Sequence, residues 1–119
     1  MFMLYHSLTP EEFAPKIHDQ RVCIIDVREP SECLEGMIEK AINIPLGALP
    51  EYNINRATCD EVVFYCRSGH RSKIAAQIYL EKYRLLDLPA ISHLKGGYIS
   101  WVAWVNHRPS PIDQDAISE

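Results

Sequence analysis

The sequence predicts an α/β fold: a mostly parallel sheet with helices on both of its faces. Two runs carry that expectation, Val22-Cys23-Ile24-Ile25-Asp26-Val27 and Glu61-Val62-Val63-Phe64-Tyr65-Cys66. Both are nearly continuous in apolar residues rather than alternating, as strands buried on two faces must be. Segments with helical start signals or helical periodicity separate these runs, and strand–helix–strand alternation implies right-handed crossovers between parallel strands.

Taken in order, Thr9-Pro10-Glu11-Glu12 is a helix start. Thr9 can cap, Pro10 suits the first helical position and Glu12 completes a capping box. Phe13, Ile17 and the stem of Lys16 supply its buried stripe. After the 22–27 strand, Pro30 to Leu34 fits a short helix ending at Gly36, and Ala41 to Pro45 a short strand stopped by its proline. The 61–66 strand leads into a long helix from His70 to about Leu85, with Ile74, Ala75, Ile78 and Leu85 as its apolar stripe and Tyr79 and Tyr83 alongside. Asp87-Leu88-Pro89 breaks that pattern. Ile91 to Leu94 reads as a further strand, and Gly96-Gly97 turns the chain into a helix from Tyr98 to Val105 carrying Trp101 and Trp104 as core aromatics. The segment 1–108 is expected to form one domain and 109–119 a polar tail.

Composition narrows the function. The 119 residues suffice for a single domain with a real core, and 47% hydrophobic with 24% charged residues is ordinary for a globular chain. A net charge of −4 without a basic stripe argues against nucleic acid as a partner. No run approaches the ~20 apolar residues of a spanning helix, so no membrane association is expected. The apolar opening Met1 to Tyr5 lacks a positive leading region, so no export signal is read. Reduced cysteines and a cytoplasmic location are then expected. Cys23, Cys33, Cys59 and Cys66 form no CxxC pair and no ligand spacing with histidine, so neither metal nor other cofactor is expected.

Charge reverses locally. Between Arg67 and Lys73 stand three fixed cations, one histidine and no acid, which in an acidic chain points to a small anionic substrate. Cys66-Arg67-Ser68-Gly69-His70-Arg71 joins a buried strand to a helix. A cysteine at that junction meets backbone N–H groups and flanking cations, both favouring the attacking thiolate. Strand ends are also where open α/β sheets bind ligands. Asp26-Val27-Arg28 and Gly96-Gly97 fall at other such ends, so three segments are expected to converge on one edge.

These segments resemble single-domain rhodaneses, the thiosulfate-type sulfurtransferases. The resemblance rests on Ile25-Asp26-Val27-Arg28-Glu29, Glu35-Gly36-Met37-Ile38 through Pro45, Cys66 to Ser72, and Leu94 to Trp101, in the family's order. It implies a rhodanese-like three-layer sandwich with a five-stranded mostly parallel sheet. It also implies a Cys66 persulfide formed from a donor such as thiosulfate and passed to cyanide, a thiol or a protein acceptor. Arg71 is then the expected anion contact. Arg67 is open between anion contact and surface ion pair, and His70 between anion contact and solvation. Gly69 supplies backbone freedom. Ser68 or Ser72 can donate to the site, while Ser72 can equally cap the helix. Asp26 and Arg28 correspond to a framework ion pair. The family has histidine where Met37 stands and glycine where Lys40 stands, so Lys40 must avoid a positive φ or carry strain.

Four residues separate Cys66 from Arg71. Cysteine-dependent phosphatases and arsenate reductases place one residue more there, so the tighter loop favours sulfur over phosphoryl chemistry. A protein-level persulfide carrier and a non-enzymatic regulatory module on the same fold are the alternative readings. Cys59 lies on the order of 15–20 Å from Cys66 if the intervening strand is extended, beyond the ~7 Å a disulfide spans. Cys33 could approach the site, and Cys23 is expected to be inert within its strand.

Overall fold

In the computed structural model, residues 4–55, 57–83 and 89–107 are described. The elements are β1 (His6–Leu8), α1 (Pro10–Phe13), β2 (Val22–Asp26), α2 (Pro30–Cys33), β3 (Ile42–Asn43), β4 (Glu61–Tyr65), α3 (His70–Lys82), β5 (Ala90–Leu94) and α4 (Gly97–His107), with 3₁₀ turns at Ala14–His18 and Leu46–Glu51. The strands form one parallel sheet of five in the order β1-β5-β4-β2-β3. Strand alternation splits the core in two. Ile25, Val62, Phe64 and Ile91 pack with Leu49, Ala75, Ala76, Tyr79 and Leu80. Ile24, Val63, Tyr65 and Leu94 pack with Phe13 and Ile17, and Trp101 closes over them. The predicted fold class therefore holds: α3 covers one face of the sheet, α1 and α4 the other.

The strand order places the site. From β2 the chain moves outward to β3, whereas from β4 it moves the opposite way to β5. Adjacent strands whose connections diverge leave a crevice beyond their carboxyl ends. Here those ends are Asp26 and Tyr65, and the Val27 N–H donates to the Tyr65 carbonyl at 2.9 Å.

Several expectations change. The edge strand β1 carries no sequence signal of its own and goes unpredicted. The capping box at Thr9 and Glu12 forms as expected, as does the burial of Phe13 and Ile17. The buried face of α3 is Ser72, Ala75, Ala76, Tyr79 and Leu80, whereas Ile74 is exposed, so the stripe lies rotated from the apolar pattern. Leu85, the break at 87–88 and the expected tail 109–119 lie outside the described residues. Trp101 and Trp104 are half-buried, with Trp101 edge-on to Phe13. Lys40 adopts φ 71°, so it accepts the left-handed conformation, and its Nζ donates to the Asp19 carbonyl at 3.0 Å.

Candidate active site

Cys66 follows β4 directly and is 1% exposed. Its Sγ accepts the Gly69 N–H at 3.1 Å and the Ser72 N–H at 3.4 Å. Gly69 takes φ 103°, a left-handed turn that brings its N–H back over the sulfur and opens α3. The loop is held from behind by the start of α4, where helical N–H groups lack partners of their own. Tyr98 N–H donates to the Cys66 carbonyl at 2.8 Å and Ile99 N–H to the Arg67 carbonyl at 3.1 Å. Contact this close requires Gly97, since a Cβ there would sit 2.5 Å from the Arg67 oxygen. The three segments expected at one edge thus meet there.

Beside the loop stands a charged framework. The Arg28 guanidinium, 2% exposed, donates from Nε and Nη2 to the Asp26 carboxylate, closest at 2.7 Å, and from Nη2 to the Gly36 carbonyl at 2.7 Å. Its carbon lies 4.4 Å from the Tyr98 ring centre, a cation–π contact. Asn43 Nδ2 donates to the Asp26 and Arg28 carbonyls at 2.9 Å each. Burial pulls the Arg28 pKa down, but the hydrogen bonds and charge of Asp26 outweigh it and the net shift is upward. Cys33 Sγ lies 3.6 Å from Asp26 Oδ2, and burial together with that carboxylate pushes its thiol up. Cys33 therefore gains no activation from its surroundings.

Arg71 is already engaged. Its two terminal nitrogens bind both Glu32 oxygens, at 2.7 and 2.8 Å, in a fork-to-fork pair. The Arg71 hydrogen bonds hold the Glu32 carboxyl at about 2, and Glu32 in turn raises Arg71. Glu32 is fixed for this by α2, where its Oε1 accepts the Glu29 N–H at 3.1 Å. Arg67, Ser68 and His70 are exposed around the mouth. No carboxylate pairs with Arg67 among the described residues.

Two residues go unassigned to the site in the sequence, Glu32 and His93, while Ser72 stands there as either a site donor or a helix cap. Ser72 is fully buried, its N–H on the sulfur and its Oγ donating to the Gly69 carbonyl at 3.1 Å. His93 Nδ1 lies 3.0 Å from Ser72 Oγ. Of these three only Ser72 carries a signal in the sequence, as a hydroxyl able to donate to the site or to cap the helix. Cys59 contacts Cys23, and its thiol is pushed up to about 12 by burial, with Cys23 adding to the shift. Among the described residues no three His, Cys, Asp or Glu side chains are grouped to hold a metal ion. Nor is any helix among them long and apolar enough to cross a membrane.

A cysteine at a parallel-strand end, its sulfur under loop N–H groups, is the geometry to compare with known proteins. The model of the rhodanese-like domain matches residues 9–103. The chain belongs to the rhodanese-like domain family. A sulfurtransferase of Allochromatium vinosum is 28% identical, with 82% of this chain and 89% of that protein covered. A Schizosaccharomyces pombe protein, provisionally named a mitochondrial thiosulfate sulfurtransferase, is 33% identical; the match covers 70% of this chain and 65% of that protein. Among solved structures, a rhodanese-related protein from Thermoplasma volcanium superposes with a TM-score of 0.70 at 28% identity, covering 88% of this chain and 96% of that one. The five-stranded parallel sheet seen here is thus that of a rhodanese fold.

Proposed function

We propose that this rhodanese-like domain is a sulfurtransferase that carries sulfane sulfur on Cys66 as a persulfide. The observation that carries the reading is the pair of backbone N–H donors, Gly69 and Ser72 at the start of α3, on Cys66 Sγ at a buried strand end. In the first step the Cys66 thiolate attacks the outer sulfur of a donor such as thiosulfate. The new Sγ–S bond forms as the donor's S–S bond breaks, and the electron pair leaves with sulfite. In the second step a thiolate or cyanide attacks the outer sulfur of the persulfide, and the Cys66 thiolate is regenerated. Backbone donors fixed before the reaction stabilise the anionic sulfur with little reorganisation.

Arg67 is the better candidate to receive an incoming dianion. Arg71, the residue that the family resemblance favours, spends its fork on Glu32, while Arg67 stands exposed beside the loop without an ion pair among the described residues. His70 is exposed at the same rim, open to an anion or to water. Asp26 and Arg28 act as framework, since their groups satisfy one another and the backbone rather than facing solvent.

A protein-level carrier would use the same cysteine, and turnover separates the two readings. Rapid thiosulfate:cyanide turnover that is lost in Cys66→Ser is the expected result. A persulfide that loads from thiosulfate but turns over negligibly favours the carrier. Sulfur transfer retained in Cys66→Ser overturns both.

A further inference from the structure

Behind the cysteine loop runs a chain of polar side-chain groups, buried at Ser72 and His93 and reaching the surface at Ser7, that the proposed chemistry does not itself use. Ser7 on β1 stands opposite His93 on β5, with Ser7 Oγ 2.9 Å from His93 Nε2. The other ring nitrogen, Nδ1, lies 3.0 Å from Ser72 Oγ, and His93 and Ser72 are 1% and 0% exposed. Ser72 Oγ in turn lies 3.1 Å from the Gly69 carbonyl, which can only accept. A hydroxyl has one proton to give. Ser72 gives it to Gly69, so Ser72 Oγ must accept from His93 Nδ1–H. Nε2 is then bare, and the Ser7 hydroxyl donates to it. For a neutral ring, this sharing of protons selects the Nδ1–H tautomer.

We propose that His93 is a positioning residue for the Cys66 loop, acting through Ser72 to hold the two amides that face the sulfur. The inference rests on the reading of Cys66 as the working nucleophile, yet its geometry is independent of which sulfur compound loads it. Ser72 contributes its own N–H to the sulfur, and its hydroxyl anchors the carbonyl of Gly69, whose N–H is the second donor. Gly69 has a left-handed φ that many backbone conformations could replace. A hydrogen-bonded carbonyl removes that freedom, and an imidazole wedged between Ser72 and Ser7 keeps the hydroxyl pointed at it. The Tyr5 ring lies edge-on to the imidazole at 5.4 Å between centroids, and the β4 residue in register is Phe64. The charge that acts on His93 is Lys73, which together with burial disfavours the imidazolium. The neutral ring is therefore the resident form.

Nuclear magnetic resonance of the full chain tests this directly. Long-range proton–nitrogen spectra at neutral pH should show His93 protonated at Nδ1 and bare at Nε2. In His93→Leu the amide resonances of Gly69 and Ser72 should move, and loading of Cys66 by thiosulfate should slow about tenfold for a lost buried donor. His93→Asn places an amide N–H near the Nδ1 position; it should return both amides towards their native positions and restore most of the loading rate. An Nε2–H tautomer in the native protein overturns the proposal, as do unmoved Gly69 and Ser72 amides in His93→Leu. Loss in His93→Asn equal to that in His93→Leu overturns it too. If His93→Leu does not fold, the native tautomer and the asparagine variant still decide. Failure of thiosulfate to load the native chain would instead count against the sulfurtransferase reading, because the amide and tautomer readouts need no donor.

Discussion

Replacing Glu32 by glutamine probes how the loop's positive charge is held. The two Glu32–Arg71 contacts are 2.7 and 2.8 Å long, and they hold the Glu32 carboxyl at about 2. Against the ordinary value of 4.5, taken at face value, that shift corresponds to about 3 kcal/mol. The two side chains are 31% and 27% exposed, so solvent and salt reduce the contribution to about 1 kcal/mol. Glu32→Gln should therefore lower Tm by about 3–6 °C at neutral pH. The sign follows from a depressed folded pKa: the contribution is complete above about 4.5 and disappears as pH falls towards 2. The Tm gap between native chain and variant should close over that interval. Glutamine also leaves the loop one net charge more positive. One unit charge near a dianion, partly screened, is worth about 1–2 kcal/mol, or about 5–30-fold in the KM for thiosulfate. Thermal unfolding at several pH values and steady-state kinetics measure both. An unchanged Tm together with an unchanged or raised thiosulfate KM would refute the reasoning.

Other perturbations give equally definite expectations. Gly97→Ala forces a Cβ to 2.5 Å from the Arg67 oxygen and 2.6 Å from that of Cys66, at φ 65°. It should cost more than the ~1–2 kcal/mol of left-handed backbone alone, seen as a lower urea midpoint, and should slow Cys66 loading. Lys40→Gly relieves the left-handed φ of 71° and loses the bond to Asp19. Strain relief of about 1–2 kcal/mol against glycine's unfolded-state entropy predicts a net gain of about 0.5 kcal/mol; a lower urea midpoint would contradict it. Burial first, then Lys73, depresses the His93 pKa below 6.5. The unfolded chain then takes up the proton first on acidification, so stability falls below about pH 6.5, and His93→Asn should flatten that slope in urea unfolding.

Much of this architecture is local in origin and therefore legible. The Thr9–Glu12 capping box and the buried runs that became β2 and β4 depend on neighbouring residues. So does the Cys66 loop, whose strand before and helix after put the sulfur beneath backbone donors. What escaped the sequence depends on long-range packing. Strand β1 is three residues on an edge, identifiable only by its pairing with β5. The face of α3 turned inward carries Ser72 and two alanines, since the sheet approaches closely there. Ile74 and Ile78, the more apolar choice, instead line a groove with Pro50 and Lys82. Arg71 pairs with a carboxylate 39 positions earlier, and Ser72 with a histidine 21 positions later. No spacing rule joins those residues.

The central claim is that Cys66 alone takes sulfur from the donor. Mixing the reduced chain with excess thiosulfate, without acceptor, and following sulfite release alongside peptide mass spectrometry tests it in one experiment. The account predicts one sulfite released per chain, one added sulfur on the Cys66 peptide, and return to the unmodified mass on adding cyanide. Added sulfur on the Cys33, Cys23 or Cys59 peptide instead, or sulfite release that persists in Cys66→Ser, would contradict it.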